Sequence, residues 1–119
     1  MPIVAVSPAC SAPAGGGTYC TALFAFGISV SVVDSATGVP AAAGATVIAS
    51  EGSYADSVVV PSGGSPTIPI GLAGERAGTY TVTVRKSGYK TWTKGDVAVT
   101  KDECHVKGVP VTAKIQPAP

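Results

Sequence analysis

Asparagine is absent from the 119 residues, leucine occurs only at positions 23 and 72, histidine only at 105, and no lysine or arginine precedes Arg76. Without Asn there is no N-glycosylation acceptor. Charged residues make up only 13% of the chain and the net charge is +1, so the clustered cations that neutralise nucleic-acid phosphates are missing. Nucleic acid is therefore excluded as an expected partner. No apolar run approaches the roughly 18 residues that a spanning helix requires, because Ser, Gly and Pro interrupt the longest candidates. Cys10, Cys20 and Cys104 fit neither a CxxC redox pair nor a structural zinc site, and no metal or cofactor is expected. Disorder is disfavoured too, since it requires low apolar content and high charge, and both are reversed here.

What the chain does contain is 17 Val and 12 Thr, with Gly and Pro together at 25 positions. β-branched side chains suit a pleated surface, while Gly and Pro break helices and make turns, so an all-β class follows. The length suits one domain. Boundaries are expected at 1–19 for an N-terminal arm or signal remnant, 20–116 for the sandwich and 117–119 for a tail.

Charge is divided along the chain. Residues 1–75 carry Asp34, Glu51, Asp56 and Glu75 and no base, a net of −4. Residues 76–119 carry eight basic residues against Asp96, Asp102 and Glu103, a net of 8 − 3 = +5. Solvated strand faces account for this pattern, and complementary faces that guide one subunit onto another are the sharper reading.

Cys20 and Cys104, each near the start of a strand, form the preferred disulfide. Closing that loop is worth about 4–5 kcal/mol in the chain-entropy model, and it implies an oxidising compartment. Cys10 is then left for lipidation or an intermolecular thiol. The apolar segment MPIVAVSPAC ends in Ala9-Cys10 as a bacterial lipoprotein signal does, yet lacks a basic n-region. It reads either as a signal remnant or as a mature extended arm.

Residues 21–34 read as a first strand, with Ile28, Val30 and Val32 on one face. Asp34 to Gly38 supplies a turn. Strands follow at 45–50 and 54–60, where Val58-Val59-Val60 suggests burial on both faces or a bulge. Residues 61–69 form a Pro-rich loop leading to a short edge strand near 70–72. The clearest strand is 80–85, with Tyr80, Val82 and Val84 inward; 89–93 returns antiparallel to it and 97–100 is a separate short strand. Cys104 and Val106 have even parity while Val109, Val111, Ala113 and Ile115 are odd, which places a β-bulge at Lys107-Gly108. Pro110 marks an edge. The expected architecture is a single antiparallel Greek-key β-sandwich of seven or eight strands.

The block AGTYTVTVRKSGYKTWTKGDVAV at 77–99, together with ISVSVVDSATGVP at 28–40, resembles the carboxypeptidase regulatory-like domains of the prealbumin (transthyretin)-like group. Cys104-His105-Val106 is similar to the segment that opens the last strand in bacterial extracytoplasmic and lipoprotein members. The resemblance covers about residues 20–116 and implies a prealbumin-like sandwich serving as a non-catalytic accessory, adhesive or structural module. Two related chemistries do not carry over. The transthyretin-like hydrolases use several His and Arg residues and a C-terminal Tyr-Arg-Gly-Ser motif, whereas this chain ends in Gln-Pro-Ala-Pro. The internal Lys–Asn bond of similar pilin domains needs an Asn.

No catalytic residue is assigned. His105 is read as structural, without a GxSxG elbow to serve. Asp102 and Glu103 read as turn residues, and Tyr80 and Tyr89 as packing rings. Trp92 has two readings: a surface aromatic between Lys90 and Lys94 that stacks on a sugar or anchors a protein, or a ring packed under the 61–69 loop. The expected function is a non-catalytic extracytoplasmic binding or structural module, secreted, periplasmic or lipid-anchored, with a protein or cell-surface glycan as partner. The alternative is a self-assembling fibre subunit, a homo-oligomer in which the arm bearing Ile3, Val4 and Val6 adds a strand to a neighbour.

Overall fold

The computed structural model describes residues 24–65 and 67–119. Seven strands run in order: β1 Phe26–Asp34, β2 Thr46–Glu51, β3 Tyr54–Val59, β4 Ile70–Gly74, β5 Gly78–Arg85, β6 Trp92–Val99 and β7 Val109–Ile115. They form a three-stranded sheet, β4-β1-β7, packed on a four-stranded sheet, β3-β2-β5-β6, and no helix occurs among the described residues. The all-β class expected from the composition and the sandwich expected from the strand pattern are the fold.

Period-2 alternation explains the packing. Val47 and Ala49 of β2, Tyr80, Val82 and Val84 of β5, Ile28, Val30 and Val32 of β1, and Val111, Ala113 and Ile115 of β7 all point between the sheets and are buried. Their neighbours in sequence face solvent or the sheet rim. No polar residue is buried among the described residues, so the interior is held by apolar burial, roughly 1.5–3 kcal/mol for each large side chain.

The wholly antiparallel pairing expected from the sequence does not hold: β1 and β7 run parallel from Ile28↔Val109 to Asp34↔Ile115, and the other strand pairs are antiparallel. The chain crosses between the sheets before β7, and that crossover permits a parallel return that no hairpin could make. Pro110 lies on β7 at the rim of its sheet, where a missing N–H costs no ladder bond. At the Asp34 turn, the Asp34 carboxylate accepts the N–H groups of Ala36 and Thr37 at 2.8 and 3.1 Å, and Gly38 takes a φ of 75°.

Four local expectations change. The segments 89–93 and 97–100 are not two strands. A single strand, β6, runs unbroken from Trp92 to Val99, because Gly95 and Asp96 together oppose Thr81 in a bulge between the pairs Val82↔Lys94 and Tyr80↔Val97. The bulge interrupts the alternation without interrupting the ladder. Nor is there a bulge at Lys107-Gly108. Val106 bridges Lys101 in a small hairpin between β6 and β7, and the parity changes because a new strand begins on the other sheet. Val59 is 69% exposed, so the valine run of β3 is not buried on both faces. Finally, β1 starts at Phe26, and Phe24 and Ala25 precede it outside the strand. The C-terminal residues are tied back as well: Tyr89 bridges Pro117 and the Ala118 N–H donates to Gly88.

Candidate functional site

A two-sheet sandwich has two open sides, where the outermost strands of the sheets face each other. Here one side is bounded by β3 and β4, the other by β6 and β7.

The β3/β4 side is partly clipped and partly open. Asp56 on β3 accepts the Ala73 N–H of β4 at 3.0 Å, joining the two edges near one end. Towards the other end they diverge around a groove of about 350 Å³, lined by Val58, Val60, Pro61, Ile68, Ile70 and Gly71 among others. Val59 and Ile68 stand exposed at its margin, Ile68 at 65%. The lining carries no charged side chain. Beyond it, the rings of Phe24 and Phe26 meet edge to face at 5.1 Å. Phe26 lies over Gly71 and Phe24 over Gly74, positions where any Cβ would collide with the ring. Glycine is thus required on β4 by the close approach of the chain that enters β1.

The β6/β7 side is different in kind. Trp92 is half-buried against the core, and with Lys90, Thr91, Lys114 and Gln116 it lines a polar recess of about 290 Å³. The Lys90 N–H donates to the Gln116 carbonyl at 2.8 Å and closes this corner. Trp92 sits on the sheet edge opposite β3, so it does not pack under the 61–69 loop as one sequence reading held.

A polar corner lies between β4 and β5. Ala73 and Glu75 adopt φ of 54° and 52°, a left-handed conformation that costs a non-glycine residue about 1 kcal/mol or more. Side-chain bonds hold it. Glu75 accepts the Ala25 N–H at 2.7 Å and meets the His105 Nδ1 at 2.9 Å; the Ala25 bond first, then His105, lowers its carboxyl pKa. Arg76 donates to Glu51 at 2.8 Å and to the Tyr80 hydroxyl at 2.9 Å, with its guanidinium 3.9 Å above the Tyr54 ring. The Tyr80 bond and the Glu51 bond raise the Arg76 pKa, while the Thr79 N–H and then Arg76 lower that of Glu51. The Tyr80 hydroxyl donates in turn to the Arg76 carbonyl at 2.8 Å.

These contacts place the residues singled out in the sequence. His105 reaches back to Glu75, a pairing 30 positions apart that no local pattern shows. Asp102 caps its turn by accepting the Cys104 and His105 N–H groups, and those bonds lower its pKa. Tyr80 is a core ring, and the Tyr89 hydroxyl donates to Asp34 at 2.7 Å. No group of three or more His, Cys, Asp or Glu suited to a metal ion occurs among the described residues. Ile3, Val4, Val6, Cys10 and Cys20 lie outside the described residues, and with them the Cys20–Cys104 pairing. The β3/β4 groove was missed. Its only local signals are the surplus apolar residues Val59 and Ile68, which belong to no core stripe.

No protein-family model matches the chain, and no curated protein matches it.

Proposed function

We propose that this chain is a non-catalytic binding or structural module that works outside the cytoplasm, and that its working surface is the groove between β3 and β4. One observation carries the reading: two sheet edges open around an uncharged apolar lining with Val59 and Ile68 exposed beside it. Contiguous exposed apolar surface on a small domain marks an interaction site. The titratable groups support the non-catalytic part, because Arg76, Glu51, Glu75, Asp34 and Asp102 are each engaged in bonds that hold turns and corners.

The resemblance of 77–99 and 28–40 to carboxypeptidase regulatory-like domains agrees with a module of this kind and with a secreted or lipid-anchored setting. In that setting Cys20 and Cys104 form a disulfide, which mass mapping of the oxidised chain tests; a Cys10–Cys20 bond would refute it.

The groove is tested by titrating the full chain, at submicromolar concentration, with Nile red. Its emission rises with wild type and falls at least about tenfold in apparent affinity with Ile68→Lys, while the urea midpoint is unchanged. Equal binding by the variant would refute the assignment.

A second reading, the self-assembling subunit, is favoured by the same edges. β6 carries a bulge with Lys94 and Asp96, and β7 carries Pro110 and Lys114, devices that deter strand addition. Between them β3 and β4 have one charged residue, Asp56, already bonded across the gap.

A further inference from the structure

We infer that the β3/β4 groove is filled by the N-terminal segment Ile3–Ser7 of a second copy of this chain, added as a strand to the outer edge of β4. The inference rests on the groove being the working surface and names its occupant.

The backbone of β4 is prepared for this. Along an extended strand, the peptide groups of alternate residues point to the same edge. The Ala73 N–H points away from β1, since it bonds Asp56 of β3. Gly71, two residues earlier, therefore presents its N–H and C=O to that same edge, and Gly71 lines the groove. An entering strand would find main-chain partners there, with Ile68, Ile70, Val58 and Val60 around its side chains. Main-chain bonds plus pockets for alternate side chains are the recognition mode of strand addition.

The segment fits in length, polarity and reach. Ile3–Ser7 has five residues and β4 has five, about 17 Å each when extended. Val4 and Val6 share one parity and Ser7 lies on the other, so the valine face turns inward, as the apolar faces of β1, β5 and β7 do. The first charged side chain of the sequence is Asp34, so no charge need be buried. Pro2 and Pro8 end the pairing stretch. Residues 8–23 then span up to about 55 Å when extended; a domain of this size is roughly 30 Å across.

Charge favours a second copy as the donor. Asp56 and Glu75 lie on β3 and beside β4, with Glu51 offset by Arg76, while the other seven Lys and Arg lie on β5 to β7 and their turns. A neighbour presenting its basic half to this acidic half is attracted, and the contact is head-to-tail, so it repeats.

The test separates donor from acceptor by sedimentation velocity on full-length chains, all carrying Cys10→Ser so that no intermolecular disulfide contributes. The donor-dead variant is Val4→Asp/Val6→Asp and the acceptor-dead variant is Ile68→Lys; matching urea midpoints confirm that both fold. The otherwise unaltered chain forms concentration-dependent oligomers. Each variant alone stays monomeric to at least about 100-fold higher concentration. Their mixture forms a 1:1 dimer and nothing larger, because the one intact arm meets the one intact groove. A monomeric parent, oligomers that survive Val4→Asp/Val6→Asp, or a mixture that sediments as separate monomers would each overturn the inference. A monomeric parent that still loses Nile red affinity on Ile68→Lys would leave the groove assignment standing while refuting this occupant.

Discussion

Replacing Leu72 by alanine probes the packing of β4, the strand on which the functional reading depends. Leu72 is fully buried and is the only core leucine among the described residues; it sits opposite Ile28 of β1. Removing three carbon groups forfeits about 2.4 kcal/mol of transfer free energy at ~0.8 kcal/mol per group. A cavity adds to this, and its size depends on whether the neighbours can collapse. Here the surrounding core is mostly Val and Ala, β-branched side chains with restricted χ1 and methyl groups with nothing to rotate. Relaxation is therefore poor, and the total is about 3.5–4 kcal/mol, in the upper half of the range for such changes. Urea unfolding followed by the fluorescence of Trp92, the single tryptophan, measures it directly. The midpoint should fall with little change in m, and Tm should drop by roughly 15–30 °C. Val59→Ala, on the neighbouring edge but exposed, should stay within about 0.5 kcal/mol of wild type. A Leu72→Ala cost below about 1.5 kcal/mol would mean that β4 is not packed between the sheets as described.

Glu75 and Glu51 both have pKa values held below the ordinary glutamate value of 4.5. Their contribution to stability is complete above that value and is lost as pH falls through the lowered folded-state values. The urea midpoint should thus decline on acidification below about pH 4.5, and Glu75→Gln should flatten that decline; an unchanged slope would refute the assignment. Tyr89→Phe removes the bond that contributes most to lowering the Asp34 pKa, so the Asp34 carboxyl should titrate at higher pH by NMR. Gly71→Ala should displace the Phe26 ring and cost about 1–2 kcal/mol in urea unfolding, since the added methyl occupies the ring's position.

The sandwich was legible because alternation survives in its strands: Tyr80-Val82-Val84 and Val111-Ala113-Ile115 declare a buried face without any tertiary knowledge. The Asp34 turn was equally plain, because its Asp and Gly act within five residues. Legibility failed where the cause is not local. Thr93-Lys-Gly-Asp breaks alternation, and only the pairing with Thr81 shows that a bulge carries the ladder through it. The His105–Glu75 pair and the Arg76–Glu51 pair span 30 and 25 positions and depend on strand order. The groove depends on strand order as well. Nothing in VVVPSGGSPTIPI says that its two ends border the same side of two different sheets, and the exposed Val59 and Ile68 acquire meaning only once β3 and β4 are known to face each other.

Amide hydrogen exchange at Gly71 in the oxidised full-length chain, followed as a function of protein concentration, reports directly on strand addition at the β4 edge. Protection of the Gly71 N–H should rise with concentration as arms pair with the β4 edge, and Val4→Asp/Val6→Asp should abolish the rise. Protection that does not vary with concentration, or a rise that persists in that variant, would contradict it.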